Sequence, residues 1–271
     1  MLYLISTPIG NLGDFSFRSV ETLKKCDYIL CEDTRHSRGL LNHYEIQVPL
    51  HAFHKFNEAK AEERVIEDLK KGMTIALISD AGTPLIADPG QELVARCQKE
   101  GIAVSAIPGA CAIVDALVLS GLAPCPFQFI GFLPKKEKEL HEVLSKIIFY
   151  QGTSIAYESP HRIEETLSAL QQLAPERKLC IARELTKLHE ECLIGTPGEL
   201  IAHFQKHPPR GEIVLLISPP EEKISFEHLS LVELVEMLQK DLHLGKTEAI
   251  KMAAQMHNLP KKEVYKLFTN D

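Results

Sequence analysis

The strongest constraint on the fold is an alternation. Short apolar runs of strand-favouring residues at 2–6, 28–31, 75–78 and 104–107 are separated by stretches with apolar residues at helical spacing, at 19–26, 60–71 and 91–100. Each run ends near turn residues or polar groups. Strands this far apart in sequence pair in parallel only through long crossovers, and the intervening helical stretches supply them. The pattern therefore predicts a mostly parallel sheet flanked by helices, with ligand-handling loops at the carboxyl ends of the strands.

Residues 119–126, LSGLAPCP, interrupt this pattern with one glycine and two prolines. A second α/β set follows, with apolar runs at 127–132, 153–157, 179–182 and 213–217 and helical stretches at 162–173 and 198–204. After Pro219 and Pro220 the chain turns helical, charged and glycine-poor. The expected organisation is thus an α/β domain over 1–119, a second over 120–220, and a helical tail over 221–271. Within the tail, 247–257 and 261–268 flank Asn258, Leu259 and Pro260 as two short amphipathic helices resembling a helix-turn-helix. Its lysines either face nucleic acid or sit on helices that merely pack on the domain. Deleting 221–271 is expected to leave a folded core that docks RNA poorly.

Composition narrows the classes. Hydrophobic residues are 45% and charged residues 25% of 271, enough to bury a sizeable core. A formal net charge of −7 argues against coating nucleic acid with the whole surface, so any RNA contact falls to local strings: RHSR at 35–38, PKK at 134–136, His161 with Arg162, and the C-terminal lysines. The seven cysteines are scattered, and neither HExxH nor paired CxxC spacing occurs, so reduced thiols and no metal site are expected. No stretch is long and apolar enough to span a bilayer, and the opening run lacks a basic leader, which points to the cytoplasm.

The densest group of special residues is SDAGTPLIADPG at 79–90, directly after an apolar run. Glycine and alanine let main-chain groups approach a ligand closely, and Asp80 and Thr83 can bind hydroxyls or amines. The plain alternative is a strand-to-helix turn, with Asp80 capping the next helix. TPIGNLGD at 7–14 and IPGACA at 107–112 are similar loops. GxGxxG is absent from the first turn, and GxxxxGK[ST] is absent altogether, which disfavours nicotinamide and Walker-type nucleotide sites.

Taken in order, TPIGNLGD (7–14), EDTRH (32–36), SDAGTP (79–84), DPG (88–90), ESPHR (158–162), ARELTK (182–187) and RGE (210–212) resemble the ribosomal RNA small subunit methyltransferase I family. That family belongs with the tetrapyrrole methylases. The resemblance spans nearly the whole chain and implies two α/β domains with S-adenosylmethionine in the cleft between them, a homodimer, and 2′-O-methylation of a cytidine in small-subunit (16S) ribosomal RNA, naked or assembled. It implies cofactor contacts, mostly main-chain, from Pro8, Ala81, Gly82, Thr83, Ile86, Cys111 and Ala112, with Leu185 aligning more loosely; Asp80 joins them by its position in the loop. The chain departs from the family at 135–139, where KKEKE alternates in sign instead of extending a basic run.

Methyl transfer from a sulfonium is an in-line displacement, so positioning in a water-poor site supplies much of the rate. A ribose hydroxyl is a weak acid, and a base or cation at the developing alkoxide adds about 10²–10⁴-fold. The family-like strings offer Asp33, His36, Glu158, His161, Glu184 and Lys187 for this, with Asp33, Glu184 and Lys187 as the expected catalytic set. Arg35, His36, His161, Arg162 and Arg183 are the expected RNA contacts. Each has a plainer reading: Glu32 to Arg35 as a capping and ion-pairing cluster, His161 and Arg162 as a helix start, and Arg183, Glu184 and Lys187 as surface pairs. Two other functions compete, methylation of a tetrapyrrole or other small molecule and non-catalytic RNA binding during ribosome assembly. The first needs a roomy apolar cleft and the second degraded cofactor loops.

Overall fold

A computed structural model of the chain describes residues 1–55, 57–221, 229–242, 244–257 and 259–268. The chain divides into two compact units, Met1–Ala116 with Glu184–Glu190, and Leu117–Arg183 with Glu191–Asp271.

The first unit runs β1 (Leu2–Ile5), α1 (Phe17–Lys24), β2 (Tyr28–Cys31), α2 (Thr34–His43), β3 (Leu50–Ala52), α3 (Glu58–Lys70), β4 (Ile75–Ile78), α4 (Gln91–Lys99), β5 (Val104–Ile107) and the start of α5 (Ala112–Ser120). Its five strands are all parallel, in the order β3-β2-β4-β1-β5. Every residue of β2 and β4 is buried, because helices cover both faces. Leu2, Leu30, Ile75 and Leu77 pack with Val65, Ile66 and Leu69 of α3 and Leu93 of α4. Ile5, Ile29, Ala76 and Ile78 point the other way, onto Leu23 of α1 and Leu41 of α2. Each such leucine or isoleucine contributes about 1.5–3 kcal/mol by leaving water.

The second unit contains β6 (Phe127–Phe132), α6 (Glu137–Ile147), β7 (Thr153–Glu158), α7 (Ile163–Leu173), β8 (Leu179–Arg183), β9 (Glu191–Gly195), α8 (Pro197–Lys206) and β10 (Ile213–Ile217). Its sheet order is β6-β7-β10-β8-β9, and only β6 and β7 are parallel. The parallel arrangement expected from the alternation therefore describes the first sheet alone. The second departs from it because β8 and β9 form a hairpin and β10 inserts between β7 and β8. The signal for α8 is explicit: Thr196 accepts the Glu199 amide and the Glu199 carboxylate returns to the Thr196 amide, a capping box with Pro197 at the first turn.

α6 begins inside the KKEKE stretch at 135–139, with Lys136 as its N-cap, and runs on to Ile147, a helix that the alternating charges conceal. Leu140, Leu144 and Ile147, spaced at four and three residues, bury one face against the second sheet while the lysines and glutamates take the other. The tail forms α9 (Leu231–Asp241), α10 (Lys246–Met256) and α11 (Lys261–Lys266). Leu234, Leu238, Ile250 and Ala253 pack there with Ile148, Phe149 and Leu173, so the tail helices share a core with the connection after α6 and with α7. Of the turn expected between the two C-terminal helices, Asn258 lies outside the described residues. Among the described residues no helix is long and apolar enough to cross a membrane, and all seven cysteines are free thiols.

Candidate functional site

In the first unit the loops after β1, β4 and β5 leave three adjacent strands at the same sheet end, and short polar side chains stitch them together. Thr7 and Gly82 exchange main-chain hydrogen bonds of 2.9 and 3.1 Å. The Thr7 hydroxyl donates to the Ser79 carbonyl at 3.1 Å, and the Ser79 hydroxyl to the Gly82 carbonyl at 2.8 Å. Thr83 Oγ1 donates to the Ala110 carbonyl at 3.2 Å and accepts from Ser6 Oγ at 3.2 Å, tying the third loop to the other two. Ser6, Thr7 and Ser79 are buried, so these bonds fix the loop roots away from water.

Gly82 has φ +78°, and a Cβ there would meet Ile9 Cγ2 at 3.1 Å and the Ala110 carbonyl oxygen at 3.5 Å. The absent side chain thus makes room for neighbouring loops, whereas the sequence reading reserved that room for a ligand. Past this anchor, Ala81 and Ile86 are exposed and Pro8, Thr83, Cys111 and Ala112 half-buried, leaving small-residue main chain accessible. Leu85 and Ala87 sit at φ +71° and +73°. Each such non-glycine residue costs of order 1–3 kcal/mol, a strain that clusters at ligand-handling loops.

Asp88 follows this strained stretch. Its carboxyl is pushed up to about 6, first by burial and then by Glu32 and Asp80, so three carboxylates converge at the ends of β2 and β4. Asp80 Oδ1 accepts the Asp33 amide at 3.3 Å, linking the β2 and β4 ends. It does not cap α4, whose N-cap is Gly90 without a side-chain bond; the Gly90 amide donates instead to Glu58 Oε1 at 2.9 Å. The convergence of Glu32 and Asp88 escaped the sequence reading, although both residues lie in the strings EDTRH and DPG.

Asp33 is the N-cap of α2 and accepts the Arg35 amide at 2.8 Å. That bond, reinforced by the Arg35 guanidinium, holds its carboxyl below the usual aspartate range. Arg35, with 92% of its side chain exposed, and His36 stand on the first turn of α2 facing solvent.

Glu184–Glu190, the connection between β8 and β9, belongs to the first unit. Thr186 Oγ1 accepts the Asn11 amide at 3.0 Å, and a Cβ on Gly10 would fall 2.5 Å from Lys187 Cγ, so only glycine permits this approach. Lys187 Nζ donates to Glu184 Oε1 at 2.9 Å, both side chains partly exposed. Leu185 between them is buried, with 6% exposure. Glu184 and Thr186 take φ of +51° and +64°, a second strained stretch beside the first loop.

The remaining expected residues lie in the second unit. The Arg162 guanidinium donates to the Leu133 carbonyl at 3.2 Å, to Glu158 Oε1 at 3.3 Å and to the Pro134 carbonyl. Glu158 is buried and also accepts the Ser159 amide at 2.7 Å and the Thr166 hydroxyl at 2.8 Å. Arg162 thus braces the turn after β6, with its donors directed into the protein. Arg183 pairs with Glu191 at 2.5 Å across the β8–β9 hairpin. His161 is exposed. Among the described residues no group of three or more His, Cys, Asp or Glu side chains is placed to hold a metal ion.

Residues 1–201 match the model of the tetrapyrrole (corrin/porphyrin) methylases, and the doubled α/β fold is that of this methyltransferase class. The X-ray structure of a cobalamin biosynthetic enzyme, cobalt precorrin-4 methyltransferase, superposes with a TM-score of 0.58 over 80% of this chain and 94% of that one; at 15% identity the likeness is one of fold. Two proteins named ribosomal RNA small subunit methyltransferase I are far nearer. That of Halalkalibacterium halodurans is 44% identical over 98% of this chain and 94% of its own, and that of Synechocystis sp. 44% identical over 98% and 96%. The chain belongs to the ribosomal RNA small subunit methyltransferase I family.

Proposed function

We propose that the protein transfers a methyl group from S-adenosylmethionine to the ribose 2′-hydroxyl of a cytidine in small-subunit (16S) ribosomal RNA, in the cytoplasm and as a homodimer. The observation that carries this reading is the packing of Glu184–Lys187 against Gly10, which brings an ammonium–carboxylate pair to the loops of the first sheet. The names of the relatives at 44% identity support RNA as the substrate.

The donor set suits the cofactor. Main chain at Pro8, Ala81, Thr83, Cys111 and Ala112 offers polar groups to adenosine, Gly82 holds the loop that presents them, Ile86 offers apolar cover, and Leu185 backs the site from the interior. Asp80, Asp88 and Glu32 provide a negative field for a cationic sulfonium and amino group. When bound, S-adenosylmethionine supplies an electrophilic methyl carbon. As the ribose hydroxyl loses its proton to solvent water, Lys187 Nζ donates a hydrogen bond to the oxygen on which negative charge develops, and Glu184 orients the ammonium. Asp33 aligns Arg35 through the cap of α2, because a carboxylate held below its usual range is a weak base. Arg35, His36 and His161 remain as phosphate contacts, while Arg162 and Arg183 serve the protein interior and the hairpin.

A second copy is the natural cover for α5, where Val114 and Val118, one turn apart, are 48% and 74% exposed. The deciding experiment incubates the protein with labelled S-adenosylmethionine and small subunits from cells lacking the enzyme, followed by nucleoside mass spectrometry. Label in 2′-O-methylcytidine is expected. Label only in an added tetrapyrrole, or only in another nucleoside, overturns the reading.

A further inference from the structure

We propose that a concavity in the second unit, bounded by β6, the end of α6 and α10, seats a single-stranded nucleotide of the RNA substrate; this rests on the function proposed above. The cavity has a volume of about 370 Å³, within the roughly 300–1,000 Å³ typical of small-ligand pockets. Its polar and aromatic lining comprises Gln128, Lys146, Phe149, Tyr150 and Gln255, over an apolar floor that includes Met252.

That combination matches the three parts of a nucleotide. Tyr150, half-buried at the groove, supplies an aromatic ring of the kind on which unstacked bases settle, and Phe149, packed against the tail helices, backs it. The Gln128 amide nitrogen donates to Ser154 Oγ at 2.8 Å, which turns its carbonyl oxygen into a fixed acceptor. The Gln255 side chain, exposed on α10, makes no side-chain hydrogen bond among the described residues and offers both a donor and an acceptor to a base edge. Lys146 supplies the cation for a phosphate. Lys251, one turn before Gln255 on α10, supplies a second, and neither forms an ion pair among the described residues.

Charge favours an anionic occupant here. None of the lining side chains is acidic, in a chain of formal net charge −7. The carboxylates of the neighbouring helix faces are drawn elsewhere, since Glu142 and Glu248 both reach Lys138, at 4.0 and 3.3 Å. The Lys146 end of the groove is left positive, which suits a phosphodiester and steers its approach. Sheet position adds access, because β6 is an edge strand.

The test uses the full-length protein and a short fluorescein-labelled single-stranded RNA, with Tyr150→Ala, Lys146→Ala and Gln255→Ala measured by anisotropy across a salt series. Tyr150→Ala is expected to weaken binding about tenfold, the loss of one stacking platform. Lys146→Ala is expected to reduce the slope of log affinity against log salt by about 0.7, one phosphate contact. RNA carrying 4-thiouridine should cross-link to peptides from the end of α6 and from α10. If Tyr150→Ala does not fold, the two exposed-helix variants carry the decision. Wild-type affinity and salt slope in folded Lys146→Ala and Gln255→Ala overturn the pocket, as do cross-links confined to other peptides or a groove occupied by protein while RNA stays bound. Methylation of small subunits by the wild-type protein, run in parallel, separates the two readings: its absence overturns the proposed function, whereas its presence with RNA binding indifferent to all three substitutions overturns the pocket alone.

Discussion

Thr7 and Gly82, 75 residues apart in sequence, exchange two main-chain hydrogen bonds and so lock the loop after β1 to the loop after β4. Because Gly82 holds φ +78° with Ile9 and the Ala110 carbonyl packed against its Cα, a β-branched residue there meets both a strained backbone and a filled space. Gly82→Val is expected to destabilise the first unit by about 2–4 kcal/mol, from the left-handed backbone and the overpacking together. Cofactor affinity should fall with stability. Thermal denaturation beside calorimetry checks this, and a variant with wild-type melting that binds no cofactor would mean the side chain enters ligand space instead.

The Lys187–Glu184 pair separates chemistry from binding. Lys187→Ala is expected to lower kcat on RNA about 10²–10³-fold, the usual cost of removing one donor to a developing oxyanion, with S-adenosylmethionine affinity within about twofold of wild type. Glu184→Gln, which keeps a neutral acceptor for the ammonium, should lose less. Single-turnover kinetics at saturating RNA and calorimetry decide it, and unchanged turnover in both would return the pair to a role in loop folding.

Arg162→Ala should cost stability and leave RNA affinity alone. The Arg162 side chain is 19% exposed and that of its partner Glu158 only 1%, so truncation leaves a buried carboxylate without its cation, held by the Ser159 amide and Thr166 hydroxyl alone, and takes a donor from two carbonyls. Loss of one partner of a buried pair costs about 3–5 kcal/mol. Denaturant unfolding measures the loss; RNA affinity below wild type in the folded fraction would restore Arg162 as a phosphate contact.

Asp88 makes part of the stability depend on pH. Its folded value of about 6 lies above the ordinary 3.8, so protonation favours the fold. That contribution is complete below about 3.8 and disappears as pH rises through about 6. Asp88→Asn is therefore expected to stabilise the protein above pH 6 by about 1 kcal/mol, after allowance for the partial exposure of the carboxyl, and to be neutral in strong acid. Melting curves across that interval test it; equal gains at all pH values would exclude titration of Asp88 as the source.

Removing α9, α10 and α11 should not leave an intact core. Ile148, Phe149 and Leu173 pack among Leu234, Leu238 and Ile250, and truncation at 221 bares them to water. Aggregation on gel filtration and dye binding to apolar surface are expected, in place of the folded, RNA-deficient core that the composition break at Pro219 and Pro220 suggests. A monodisperse truncated protein with native unfolding would show the tail to be an appendage.

Period and punctuation made much of this protein legible in its sequence. The four apolar runs of the first unit become β1, β2, β4 and β5, with β2 and β4 apolar throughout because they are buried on both faces, and the small-residue loops fall at the carboxyl ends of β1, β4 and β5. β3 was not legible, since three half-buried or exposed residues carry no period, and the Lys-Glu alternation at 135–139 hid α6 until its leucines found a sheet to cover. The site divides along the same line. Asp33 and Arg35 announce a helix start through local bonds that sequence spacing encodes. That Lys187 and Glu184 stand beside Gly10, that Arg162 turns inward to Glu158, and that Asp88 meets Glu32 and Asp80 are contacts between distant segments, and spacing along the chain carries no distance across it. Tertiary packing alone decided which of the charged residues face partners inside the protein and which are left for a substrate.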